Sequence, residues 1–224
     1  MHITLLSPTI FESAGILHHL EQHFTLDEGV YKKGTLEVAL SICGVGMVNT
    51  CMHSLQLSQS KSDLYILIGL AGAFNSALEL GTVVNIIEEQ YGDLGAEEKD
   101  GTFLSVHDLD LIPANKFPFK DGKLINPSAS EFSFLQSASS ISVNKVSGSR
   151  RSIDLIKSKY SVDVENMEGA AFFQVCMQQR KKFLEIRAIS NYVEPRNRAA
   201  WQLDLALQNL TEVIILMLGG LSSS

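Results

Sequence analysis

The chain has 224 residues, 45% hydrophobic and 19% charged, which suits one α/β domain whose core needs no disulfide or metal staple. With 18 Lys and Arg against 25 Asp and Glu, its formal charge is −7, which repels phosphate backbones and argues against a nucleic-acid partner. Three cysteines (Cys43, Cys51, Cys176), odd in number and set in apolar runs, favour a reducing cytoplasm. No CxxC or CxxH spacing occurs, so neither a metal nor a cofactor is expected. The first basic residue is Lys32 and the apolar run 213–218 is too short for a bilayer, so neither a leader nor a membrane partner is predicted.

In chain order, residues 2–6 (HITLL) read as a buried strand followed by a helix over 11–24. A hairpin-like stretch leads to a strand at 36–43, and a Gly-rich turn opens a helix at 48–58. The run 64–70 (LYILIGL) is the most apolar strand and is placed at the centre of the sheet. Strands follow at 81–89, 141–147, 162–164 and 184–190, with helices at 152–159, 168–179 and 198–218. This alternation predicts a three-layer α/β/α sandwich around a mixed central sheet, one domain over 1–224. Residues 91–129, rich in Gly and Pro and without periodicity, read as a lid or partner-facing loop, and the serines at 222–224 as a frayed end.

Ligands in open α/β sheets lie beyond the carboxyl ends of the strands, so the residues there carry the chemistry. Cys43-Gly44-Val45-Gly46-Met47-Val48-Asn49 has the GxG of a dinucleotide fold, but Asn49 stands at the third glycine and no acid ends the next strand. It reads more simply as a tight turn exposing amides to a small ligand. In Gly69-Leu70-Ala71-Gly72-Ala73 the small residues serve either close packing or a flat ligand. Glu12 is either a first-turn acid on the helix dipole or a carboxylate able to take a proton from water. Glu168, in Glu165-Asn166-Met167-Glu168-Gly169-Ala170-Ala171, is either a cap or an acceptor for a sugar diol. Asn191, ending Arg187-Ala188-Ile189-Ser190-Asn191-Tyr192, is either a turn residue or an amide facing a heterocycle edge.

Taken in this order, GVG, GLAGA, MEGAA and RAISN resemble the purine nucleoside phosphorylase/nucleosidase family. The likeness is to its nucleosidase branch, which includes methylthioadenosine/S-adenosylhomocysteine nucleosidases and futalosine hydrolases. The resemblance implies a phosphorylase-like fold and a homodimer acting on a small-molecule purine nucleoside. It implies that Glu12 polarises the attacking water and that Asn191 faces the base, where adenine-specific relatives carry aspartate. Val45 then lines the pocket, and Ala71 and Gly72 form the turn beside ribose and base. Met167 packs on the sugar, Glu168 binds its 2′ and 3′ hydroxyls, and Trp201 walls the 5′ substituent. Arg196 or Arg198 either supplies a cation beside that ring or is a solvated helix-start charge. Three departures stand out: Leu70 replaces a serine, Asn166 a glutamate, and residues 149–152 lack the aromatic that stacks on the base.

A bound phosphate needs arginines near the anomeric carbon, and residues 1–31 contain no Lys or Arg, nor do residues 64–89. A pocket empty of cations, with water as nucleophile, is the expectation. Asn at the base edge goes with 6-oxopurines in the family, which points to futalosine and release of hypoxanthine. Three further readings stay open: a methylthioadenosine/S-adenosylhomocysteine or 6-amino-6-deoxyfutalosine nucleosidase, a non-catalytic nucleoside-binding protein, and a phosphorylase whose base release phosphate would accelerate. Phe117 and Phe119 are candidates to cap the pocket or to fill the core.

Overall fold

The computed structural model describes residues 1–222; Ser223 and Ser224, part of the serine tail, lie outside the described residues. The chain opens with β1 (His2–Ser7), α1 (Ile10–His23), the short strands β2 (Thr25–Asp27) and β3 (Val30–Lys33), and β4 (Leu36–Ile42). There follow α2 (Met47–Leu57), β5 (Leu64–Ala73) and β6 (Val83–Tyr91). The next segment holds two small hairpins, β7 (Gly95–Glu97) with β8 (Phe103–Ser105), and β9 (Phe119–Lys120) with β10 (Lys123–Ile125). The chain ends with β11 (Gln136–Ser142), α3 (Arg150–Lys159), β12 (Val164–Asn166), α4 (Gly169–Gln178), β13 (Phe183–Tyr192) and α5 (Leu203–Ser222).

The strands pair in the order β2-β3-β4-β1-β5-β12-β11-β6-β10-β9, a mixed sheet as expected, and β13 pairs with both β5 and β6. The sheet thus curls until β5, β12, β11, β6 and β13 form a closed ring. Successive residues of β5 point to opposite faces, so Ile66 and Ile68 enter one core while Tyr65 and Leu67 enter the other. The first core is covered by α1 (Ile16, Leu20) and α5 (Ala206, Leu210, Ile214), the second by α4 (Phe172, Phe173, Cys176). Leu203–Leu221 is long and apolar enough to cross a membrane by composition. Its residues 206, 210, 214, 217 and 218 nonetheless form a buried stripe at helical spacing, the mark of a helix packed on one side.

Two expectations shift. The strand placed at 141–147 runs over Gln136–Ser142, and the stretch 91–129 contains paired strands rather than an unbroken loop. Phe119 is buried beside Tyr91 and His107, whereas Phe117 is exposed.

Candidate active site

The site is built along the carboxyl half of β5. Glu12 is the third residue of α1, whose N-cap Thr9 accepts the Glu12 N–H (3.2 Å) and donates its hydroxyl to Glu12 Oε2 (2.7 Å). That is the capping contact sequence allows, but the other oxygen reaches further: Oε1 accepts the Leu70 N–H of β5 at 3.1 Å. Burial holds the Glu12 carboxyl above the ordinary range, opposed by the Thr9 hydrogen bond and by Arg187.

Glu168 sits at the N-cap of α4 and makes no side-chain cap. Its Oε1 instead accepts the Gly46 N–H at 3.0 Å, and its Oε2 lies 3.2 Å from Arg187 Nη1. Gly44 and Gly46 both have positive φ (84° and 92°), which turns the loop after β4 back over Glu168. Two carboxylates from distant segments therefore converge on one guanidinium.

That guanidinium corrects the expectation of a pocket without cations. Arg187 comes from β13, outside the two stretches in which arginine is absent, and is wholly buried. Its Nε donates to Glu185 Oε1 (2.7 Å), Nη1 to the Leu70 carbonyl (3.3 Å), and Nη2 to Asn166 Oδ1 (3.2 Å). A buried charge must be paired in this way, and the carboxylates of Glu185 and Glu168 together with Glu12 keep it protonated. Gly69 permits the arrangement: a Cβ there would lie 2.5 Å from Arg187 Nη1 and 2.9 Å from Glu12 Oε1.

Asn166, one of the departures noted above, is the hub beneath. Its Oδ1 accepts the N–H of Glu168 (2.8 Å) and of Gly169 (2.7 Å), fixing the start of α4. Its Nδ2 donates to Glu89 Oε1 (2.5 Å) and Ser140 Oγ (2.7 Å). Glu89 and Glu185 are both fully buried, and burial raises both carboxyls, Glu89 further through Glu185. Neither residue was singled out from sequence, although Glu185 and Arg187, two charges at period two inside an apolar strand, were a usable signal.

Three residues further along β5 lies the second half. Gly72 is the register partner of Asn191 on β13 and of Glu165 on β12, so the three share one face, with the glycine in the middle. Ser190 Oγ donates to Asn191 Oδ1 (2.8 Å), while Asn191 Nδ2 donates to the Tyr192 carbonyl (3.0 Å). The Tyr192 carbonyl needs a donor, so the amide cannot be turned over, and its remaining N–H belongs to the nitrogen that crowds Gly72. Asn191, Glu165, Ser147 and Trp201 line one cavity, and the guanidinium groups of Arg196 and Arg198 lie 5.3 and 5.7 Å from the Trp201 ring centre.

Of the other predicted positions, Ala71 and Gly72 form the buried floor between the two halves, Met167 is half-buried beside Glu168, and Val45 is exposed on the loop over Glu168. The structure brings Glu12 and Glu168 together through Arg187, and Asn191 and Trp201 together around one cavity. Glu165, in that cavity, carried no predicted role.

The chain is 30% identical over 213 residues to a futalosine hydrolase of Thermus thermophilus, covering 94% of this chain and 92% of that one. It is 28% identical over 194 residues to a 5'-methylthioadenosine/S-adenosylhomocysteine nucleosidase of Maridesulfovibrio salexigens, covering 82% and 81%. In structure it resembles the Campylobacter jejuni 5'-methylthioadenosine/S-adenosyl homocysteine nucleosidase, with a TM-score of 0.76 at 17% identity over the whole of both chains. The model of the phosphorylase superfamily matches residues 17–218, and this chain is a member of that superfamily.

Proposed function

We propose that this chain is a nucleosidase that hydrolyses the N-glycosidic bond of a 5′-modified purine nucleoside, with futalosine as substrate and hypoxanthine as the released base. The relatives that carry the names futalosine hydrolase and nucleosidase support the reaction class. The observation that carries the choice of base is the fixed amide of Asn191, whose oxygen is occupied by Ser190 and whose nitrogen faces Gly72. A donor there complements the N7 and O6 acceptors of a 6-oxopurine, whereas a 6-aminopurine presents an acceptor beside a donor.

The mechanism follows from the spacing. Glu12 meets β5 at the Leu70 N–H and Asn191 pairs in register with Gly72, two residues further on, about 7 Å at roughly 3.3 Å per residue. That span seats a sugar at the Glu12 end and a bicyclic base at the Asn191 end. Glu12, raised by burial, takes a proton from water aimed at C1′. Glu168, held by Gly46 and Arg187, offers its remaining lone pairs to the 2′ and 3′ hydroxyls, and Met167 supports the sugar face. The developing oxocarbenium charge is met by these carboxylates. Arg187 favours water over phosphate, because most of its N–H groups are already committed to Glu185, Glu168, Leu70 and Asn166 and no fork is left for an oxyanion. Trp201, with Arg196 and Arg198 over its ring, suits an aromatic carboxylate on the 5′ tail.

The active unit is one domain acting as a cytoplasmic homodimer. The exposed side chains of Val48 and Met52 on α2 support the pairing. Incubation with futalosine, 6-amino-6-deoxyfutalosine, methylthioadenosine and S-adenosylhomocysteine, followed by chromatography of the base, tests the assignment. Hypoxanthine from futalosine is the expected product. Preferential release of adenine from the 6-amino substrates would assign the alternative specificity, and binding without turnover would overturn the enzyme reading.

A further inference from the structure

A departing purine anion needs a proton, and Asn191 has none to give, since an amide only hydrogen-bonds. The nearest buried acid is Glu165, 4% exposed, on the other side of Gly72. Gly72 has no side chain to separate the two: a Cβ there would lie 3.1 Å from Asn191 Nδ2 and 3.7 Å from Glu165 Cγ. Glu165 and Asn191 thus flank Gly72, where a Val193 methyl also comes within 3.1 Å of that Cβ position, and both line one cavity. The Ser147 N–H, 3.0 and 3.3 Å from its two oxygens, fixes the carboxyl from the loop after β11 and leaves further lone pairs facing the cavity.

Resting on the nucleosidase reading, we propose that Glu165 is the general acid of the reaction, delivering a proton to N7 of the leaving purine while Asn191 holds the neighbouring edge. As the C1′–N9 bond breaks, its electron pair stays with the base and the Glu165 proton moves to N7, so a neutral purine departs. Water's oxygen bonds to C1′ and its proton goes to Glu12; solvent then reprotonates Glu165 and deprotonates Glu12.

The surroundings of Glu165 suit the role. Its sheet neighbours are Ile141 on β11 and Gly72 on β5, neither charged. Titratable groups in the cavity are Tyr192, Glu194 and Arg196, of which Glu194 and Arg196 are exposed to solvent. Burial, partly opposed by the Ser147 hydrogen bonds, pushes the Glu165 carboxyl up to about 7, where a general acid works at neutral pH. The sign is simple: Glu165 acts in its protonated form, so turnover falls as pH rises through its pKa, while Glu12 acts deprotonated and sets the acid limb.

The test compares wild type, Glu165→Gln and Glu165→Asp on futalosine across pH 5–9. Each is also assayed on the 4-nitrophenyl riboside bearing the same 5′ tail, whose leaving group needs no proton. Glu165→Gln is expected to lose on the order of 10²–10⁴-fold in kcat on futalosine, together with the alkaline limb. Glu165→Asp should retain part of the rate and keep the limb. On the nitrophenyl substrate Glu165→Gln should match wild type, which also shows that the variant folds, while Glu12→Gln should be inactive. A Glu165→Gln enzyme that keeps the alkaline limb, or loses equally on both substrates, overturns the inference while leaving the hydrolase intact. Wild type inactive on every nucleoside instead overturns the functional reading itself.

Discussion

The two ends of β5 are built on opposite plans. At Gly69, one wholly buried guanidinium is tied to Glu185, Glu168, Asn166 and a backbone carbonyl, with Glu12 crowded against the same glycine. At Gly72, one amide and one acid flank the glycine, each held by backbone or a serine, and a Val193 methyl packs at the same point. The first end is over-determined and, on the proposed reading, aims charge at a sugar carbon common to all nucleosides. The second end can be changed one residue at a time, which is where selectivity for a base belongs.

The sharpest way to break the contrast is the same substitution at both glycines. Gly69→Ala places a methyl group within 3 Å of two polar atoms that cannot both retreat, since each is held by other partners. Its backbone φ is not in the left-handed region, so the effect is steric. Displacing Glu12 and Arg187 by a fraction of an ångström should lower kcat by about 10²-fold or more, since misplacements on the order of 1 Å cost that much. Gly72→Ala meets its nearest atoms at 3.1 Å, and should raise KM with a much smaller loss of kcat. Steady-state kinetics on one substrate decides it, and equal losses at both positions would remove the distinction drawn between the two ends.

The base end should respond to chemistry rather than bulk. Asn191→Asp replaces the N–H that faces Gly72 with a group that accepts, or when protonated donates, and it loses the amide hydrogen bond to the Tyr192 carbonyl. The ratio of kcat/KM for 6-amino over 6-oxo substrates is expected to rise by about tenfold, equivalent to ~1.4 kcal/mol, roughly one hydrogen bond. An unchanged ratio in a folded variant would place the base edge elsewhere.

Much of this plan was legible in the residues. The strands at 2–6, 36–43 and 64–70 declare themselves because they are apolar runs, and all three occur with small shifts in their ends. Glu12, Glu168 and Asn191 stood out as candidates because each follows such a strand or opens a helix. Strand β11 was misplaced because QSASSIS carries serines where a strand ordinarily carries apolar side chains: Ser140 and Ser142 are buried against Asn166 and Glu89, so polarity there marks an internal network rather than a surface. The hairpins within 91–129 have strands of two or three residues, too short for any periodicity to register. Arg187 escaped notice because its partners lie 2, 19, 21 and 117 residues away, and only the fold brings them to one point.

Beneath both ends, Glu89 gives the smallest effect and the cleanest sign. A Cβ on Gly169 would lie 2.2 Å from Glu89 Oε1 and 2.4 Å from Glu185 Oε2, so the two buried carboxyl groups crowd one small space. Glu185 Oε2 has no hydrogen-bond partner there among the described residues. Burial and Glu185 together hold the Glu89 carboxyl well above the ordinary range, so the folded chain keeps a proton that the unfolded chain releases near pH 4.3, roughly. The native state then binds more protons than the unfolded state, and this contribution to stability declines as pH rises from that value toward the folded pKa. Glu89→Gln removes the titration, and its amide oxygen can keep the Asn166 bond while its nitrogen meets the Ser142 hydroxyl, which can accept. Its Tm should exceed that of wild type at pH 8 by about 2–4 °C, the equivalent of ~1 kcal/mol in a chain of this size, and the gap should close toward pH 4. Because Glu89 meets the site through Asn166, Ser142 and Glu185 and touches no reacting atom, kcat should stay within about threefold of wild type, since such groups act only through position. A variant less stable than wild type at pH 8 would mean that Glu89 is ionised in the folded protein, and that the charge balance around Arg187 differs from the one described.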